Sequence, residues 1–250
     1  MNLLGYGCDV SSFQAPSVID ALAGQVDFVI CRAAYGTSID KRALEHAERV
    51  RAIGAKLGLY QFFRNIQDVG AQFDAFRTVA DAIGYGAGDI VPAVDIELDP
   101  FPTKRAVDPS WAGPAEELVA KLVETFGDAM IYITRREFSF MGSPTWVLVR
   151  PLWVSHYTGA ATPATPGGLT PTVWQHYVGP FQRFHPGGYC EPNPSLDQDR
   201  LVQPLPLIAA KAPELTDEDR SRIASLVSLT AEQAADDAFR SARRAGELAA

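Results

Sequence analysis

Val91-Pro92-Ala93-Val94-Asp95-Ile96-Glu97-Leu98 sets two carboxylates into an otherwise apolar run. In an extended strand residues two apart share a face, so Val91, Ala93, Asp95 and Glu97 fall on one side and Val94, Ile96 and Leu98 on the other. Both acids then point the same way. That is costly at the end of an apolar strand unless they are paired, hydrogen-bonded or open to a cleft.

Outward from this segment, short apolar runs alternate with amphipathic segments of helical length, the pattern of repeated βα units around a parallel sheet. Strands are predicted at 4–9, 28–32, 57–63, 90–97 and 130–134. Helices are predicted at 17–23, 41–53, 68–83 and 110–126; three are closed by Gly24, Gly54 and Gly127 and the fourth ends near Gly84. After Thr134 the strands at 152–157, 173–177 and 195–201 are separated by Pro- and Gly-rich spacers. The expected fold is α/β, an irregular TIM-like barrel of eight strands whose last three are joined mainly by loops. Beyond Pro206 the composition shifts to Ala, Asp, Glu and Arg. There Thr230-Ala231-Glu232-Gln233 has capping-box form, and Ala231, Ala235, Ala238, Ala242, Ala245 and Ala249 recur at steps of four and three. The chain therefore divides into a barrel, 1–206, and a helical C-terminal tail, 207–250, expected either to pack on the barrel's outer surface or to form an oligomer seam.

With 250 residues and 47% hydrophobic content the chain can bury one substantial core. A formal net charge of -8 disfavours nucleic acid as a partner, because phosphate binding needs clustered Lys and Arg. Cys8, Cys31 and Cys190 lack a C-x-x-C spacing and are read as reduced, although a Cys8–Cys31 bridge stays open; His46, His156, His176 and His185 lack ligand spacing. No metal or cofactor is expected. The opening MNLLGYGCDVSSFQ has neither the basic nor the long apolar region of a signal peptide, and no run is long enough to insert in a membrane. The expectation is synthesis in the cytoplasm.

Crowded carboxylates raise one another's pKa, so that one can hold a proton for a leaving oxygen while another stays anionic, a division of labour that glycoside hydrolysis needs. An Asp-x-Glu pair satisfied by Arg or Lys, or a magnesium site, explains the motif equally well on its own. Two further acids tip the balance. Asp9 ends the first strand in Gly7-Cys8-Asp9-Val10-Ser11-Ser12-Phe13-Gln14, and Asp197 lies in the last in Ser195-Leu196-Asp197-Gln198-Asp199. Closing an eight-stranded barrel makes first and last strands neighbours, so Asp9 and Asp197 should meet at the rim that holds Asp95 and Glu97. Tyr35, Tyr60, Phe62, Tyr132, Trp153, Tyr157 and Trp174 fall near strand ends; such residues are more often core, yet some would suit the faces of sugar rings.

The pieces GCDVSSFQ, DFVICRAAYGTSIDKRALEHAERVRAIGAKLGLYQFF, VPAVDIELD, MIYITRREF, PLWVSHYT, VWQHY and SLDQDRL run in an order that resembles glycoside hydrolase family 25, over roughly residues 5 to 201. That resemblance implies a muramidase (lysozyme) cutting the β-1,4 bond between N-acetylmuramic acid and N-acetylglucosamine in bacterial peptidoglycan glycan strands. It implies Glu97 as general acid/base, Asp95 as the carboxylate assisting the 2-acetamido group or the developing positive charge, and Asp9 and Asp197 as supporting acids. The sequence departs from the family pattern where His176 interrupts a Trp-Gln-Tyr run, where Asp199 replaces a common Asn, and in a Gly- and Pro-rich insertion at 178–194 expected to form part of the cleft wall. A family 18 chitinase-like hydrolase is the nearest enzyme alternative, but its motif calls for acids where Ile90 and Ala93 stand; a cell-wall-binding or virion structural protein keeping the barrel without activity is the alternative of another class. The missing signal points to action on the wall after release, as a phage endolysin, or as a virion component docked on a phage tail protein through the tail.

Overall fold

The computed structural model describes residues 3–99, 106–179, 188–189 and 196–210. The elements run β1 (Gly5–Val10), α1 (Ser17–Asp20), β2 (Phe28–Tyr35), β3 (Ser38–Ile39), α2 (Ala43–Ala52), β4 (Lys56–Phe62), α3 (Val69–Ala82), β5 (Ala93–Asp95), α4 (Ala112–Phe126), β6 (Met130–Tyr132), α5 (Arg135–Phe140), β7 (Leu152–Ser155), β8 (Val173–Gly179), β9 (Gly188–Tyr189) and β10 (Leu196–Leu201). Eight strands close a barrel in the order β1-β10-β8-β7-β6-β5-β4-β2, and β2 pairs back onto β1; β3 and β9 are short additions on β2 and β8. The irregular barrel expected from the apolar rhythm is what forms. The Cys8 and Cys31 thiols are free and buried in it, whereas Cys190, the 207–250 tail past Ala210 and most of the 178–194 insertion lie outside the described residues.

Local chemistry explains the elements. Asp68 accepts from the Ala71 N–H to start α3, and Thr134 accepts from the Glu137 N–H to start α5. Gly127 ends α4 with φ 87°, a conformation any Cβ would strain. At the barrel floor Gly7 has no side chain because the Phe28 ring occupies that space, 2.4 Å from where a Cβ would sit.

Two expectations need correction, and the direction of the last strand is new. The strand expected over 90–97 has ladder pairing only at Ala93–Asp95; Pro92 has no N–H to give, the Val91 N–H turns to the Pro206 carbonyl, and the chain bends beyond Ile96, so Glu97 stands on the turn after the strand. The helix expected over 17–23 is the single turn Ser17–Asp20. And β10 runs antiparallel to both neighbours, β1 and β8, in a barrel otherwise built of parallel pairs. This reversal carries Asp197, near the start of β10, to the rim where the parallel strands end.

Candidate active site

At the C-terminal rim of the parallel strands a cavity of about 570 Å³ opens. Asp9, Asp95, Glu97 and Asp197 all line it. Asp9 and Asp197 face each other as direct partners across β1 and β10. Phe62, Asp95, Tyr132 and Trp153 stand side by side on four successive strands and so share the inner face. Phe13, Tyr35, Tyr60 and Tyr157 complete the aromatic lining.

Trp174 does not join them. It registers with Val154 while its neighbour Gln175 registers with Ser155, so the period of two turns Gln175 inward and Trp174 outward. The indole N–H donates to the His156 carbonyl, and the Arg200 guanidinium lies 5.2 Å from the ring centroid. Trp174 belongs to the barrel's outer packing.

Gln175, which the sequence reading passed over, is the hub of the floor. Its Nε2 donates to Asp9 Oδ2 at 2.6 Å, and its Oε1 accepts from the Tyr132 hydroxyl at 2.9 Å and the Tyr157 hydroxyl at 2.6 Å. The Tyr157 oxygen also lies 3.5 Å from Asp197 Oδ1. Asp199 sits deeper, fully buried, accepting from the Trp153 indole N–H at 2.9 Å. Arg32 and Asp40 are likewise not among the expected site residues. Arg32 pairs with Asp40 at 2.8 Å and donates to Ser12 Oγ, and both side chains line the cavity. Arg64 pairs with Asp99 at 2.9 Å, and Asp99 also accepts from the Tyr35 hydroxyl. Each arginine thus has its carboxylate in Asp40 or Asp99, outside the group of Asp9, Asp95, Glu97 and Asp197.

The electrostatic result is a set of acids held away from their ordinary ionisation. Burial, then the charge of Asp197, then that of Glu137 push the Glu97 carboxyl up to about 7. Burial raises Asp197 to about 6, against the Tyr157 hydroxyl. Asp95 is raised by burial and by Glu97, with Arg32 opposing, and its Oδ1 is buried without a hydrogen-bond partner. Asp9 is raised by burial and by Asp197 and Asp199, with Gln175 opposing. Such a cleft can hold a proton at neutral pH and give it to a bound oxygen. Among the described residues no cluster of three His, Cys, Asp or Glu side chains is arranged to hold a metal ion, and no helix is long and apolar enough to cross a membrane.

The sequence model of Glycosyl hydrolases family 25 matches residues 8–178. Among solved structures, the chain is similar to a muramidase from Acremonium alcalophilum, at 20% identity and TM-score 0.62 over 80% of this chain and 94% of that one. It is similar to a bacterial lysozyme from Streptomyces coelicolor, at 24% identity and TM-score 0.63 over 79% and 92%. It is also similar to the catalytic domain of an endolysin from bacteriophage P40 of Listeria monocytogenes, at 16% identity and TM-score 0.56 over 81% and 95%. At these identities the likeness is one of fold. No curated protein sequence matches the chain.

Proposed function

Because the chain belongs to glycosyl hydrolases family 25, we propose that it is a muramidase, hydrolysing the β-1,4 bond between N-acetylmuramic acid and N-acetylglucosamine in peptidoglycan. The observation that carries this reading is the raised Glu97 carboxyl standing beside Asp95 in an open, aromatic-lined cavity. Glu97 protonates the glycosidic oxygen as the C–O bond breaks, then takes a proton from the incoming water. Burial and the charge of Glu97 raise the Asp95 carboxyl, with Arg32 opposing. As positive charge grows at the sugar, the Asp95 carboxylate stabilises it or orients the 2-acetamido group. Asp9 and Asp197 hold the substrate side of the cleft and keep the central pair's protons in place, and the lining aromatics stack on sugar faces.

Substituting Glu97→Gln keeps size and hydrogen bonding but removes the transferable proton. Release of reducing ends from purified walls should fall by about a thousandfold or more, with binding to the walls retained. A substrate with an activated leaving group should lose much less at its first step. Near-wild-type cleavage of walls by Glu97→Gln would return Asp95 or Asp197 as proton donor. A wild-type protein that binds walls without clearing them would instead make this a wall-binding or virion structural module. We further propose release as an endolysin, or carriage in a virion on a tail protein through 207–250; finding the protein in purified virions tests the second.

A further inference from the structure

A second cavity, of about 500 Å³, adjoins the cleft. Arg135 and Arg136 open α5 after a two-residue step from the end of β6, and Ser155 ends β7 with His156 and Tyr157 following it, so the cavity lies at the same rim, between two successive strand exits. Thr134, Arg135, Arg136, Ser139, His156 and Tyr157 are among its lining. Tyr157 also lines the cleft, where its hydroxyl meets Gln175, so one ring is the wall common to both spaces. Glu137, the residue after Arg136, is near enough to Glu97 for its charge to help raise that carboxyl. The groove therefore abuts the point at which the glycosidic bond would be cut.

Its chemistry is opposite to that of the cleft. Among the described residues no carboxylate lines it. Arg135 and Arg136 are exposed, and among the described ion pairs neither has a carboxylate partner. Arg136 is held over the Phe140 ring, 5.1 Å from its centroid, which orders the guanidinium while leaving its N–H edges available. His156 Nδ1 accepts from the Ala164 N–H at 3.0 Å, which places the ring proton on Nε2 and makes that atom a further donor. On a chain of net charge -8, two unpaired guanidinium groups and a fixed imidazole donor around one groove form a carboxylate receptor.

We propose that this groove binds the carboxylates of the stem peptide carried on the lactyl ether of N-acetylmuramic acid. The proposal rests on the muramidase reading: a muramic acid bound beside Tyr157 has its lactyl substituent within reach of the groove, and the stem carries free carboxylates at its acidic residues and its end. Recognition of the stem then adds to glycan binding at the adjoining site, lowering KM for strands that keep their peptides.

The test compares soluble, uncross-linked glycan strands bearing stem peptides with the same strands stripped by an amidase, both first freed of phosphate polymers by hydrofluoric acid. The wild-type protein should favour the stem-bearing strands by about tenfold in kcat/KM, mostly through KM, the effect of one or two charge-assisted hydrogen bonds. Arg135→Ala with Arg136→Ala should bring the ratio near unity by losing rate on stem-bearing strands alone, and the corresponding double Lys variant should keep part of it. Equal wild-type rates on the two substrates, or a double Ala variant that keeps the preference or loses rate equally on both, would overturn the proposal. A preference seen only on strands that retain their phosphate polymers would overturn it in favour of phosphate recognition. Failure of the wild-type protein to cut either strand would remove the muramidase reading and this proposal with it.

Discussion

Asp199 lies deep in the barrel, and its surroundings say how an acid is tolerated there. It is fully buried, accepts one hydrogen bond from Trp153, and leaves Oδ2 without a partner. Burial and the nearby Asp197 charge raise it well above the usual carboxylate range, against the Trp153 bond. An acid raised in this way and offering one acceptor to an indole N–H does there what an amide would do. Asp199→Asn should therefore keep wall-clearing activity within about twofold, while Asp199→Ala frees the Trp153 ring and lowers it further; a rate assay on both variants decides. The same raised acids set the pH dependence of stability. Glu97 moves from an ordinary value of 4.5 to about 7 and Asp197 from 3.8 to about 6, so between these values the folded chain holds protons that the unfolded chain has released. Stability of the substrate-free protein must then fall as pH rises through that window. Thermal unfolding should give a higher Tm at pH 5 than at pH 8, and Glu97→Gln or Asp197→Asn should flatten the difference while leaving the fold intact; a Tm that rises with pH across the window would contradict the assignment. At this scale the four acids were legible from residue type and strand position. Gln175 was not, because an uncharged amide in an apolar strand carries no sign in sequence that three polar groups converge on it.

The bulge in β8 shows the limit of reading elements from periodicity. Asp199 pairs with Gln175 and Gln198 with Tyr177, so β8 spends one more residue than β10 at this point, and His176 is the extra one. Its Nδ1 lies 2.9 Å from the Gln198 carbonyl oxygen. The sequence marked His176 as an interruption, yet spacing alone could not say whether the strand would slip by one and turn every side chain over or absorb the residue locally. It absorbs it. Deleting His176 would leave Gln175 opposite Asp199, Tyr177 opposite Gln198 and Val178 opposite Asp197, the pairs already present. The deleted chain should fold with Asp9 still facing Asp197 and keep activity to within about tenfold, whereas deletion of Gln175 should abolish it; activity and circular dichroism of the two deletions test this. Helix α5 was missed for a different reason. Six residues are too few for amphipathic rhythm, although Thr134-Arg135-Arg136-Glu137 carries the capping signature that could have found it. The direction of β10 was likewise beyond sequence. Neighbourhood of first and last strands followed from closure, but only the antiparallel run puts Asp197 at the rim and not at the floor.

Over the whole molecule, the barrel does not stop where the composition changes. Val91 N–H donates to the Pro206 carbonyl, Ile208 N–H to the Asp89 carbonyl and Gly88 N–H to the Ile208 carbonyl, and Ile208 is buried in the core. These bonds pin the approach to β5, so we place the boundary of the independently folding part after Ala210. A chain ending at 210 should be folded and active, and one ending at 206 should lose several degrees of Tm, since it gives up the Ile208 side chain and its two backbone bonds. If the 210 form is unfolded, residues beyond it belong to the core. The way the site is assembled has a kinetic corollary. Gln175 and Asp9, bonded at the cleft floor, are 166 positions apart in the chain, and Asp197 comes near the end of the barrel. A centre whose groups come from the first strand and the last cannot exist in any partly made or partly folded chain. Contacts of such range form late and slowly. A wall-cutting enzyme of this design is silent throughout its own synthesis and becomes competent in one step, when the final strand enters backwards between its neighbours and the ring closes.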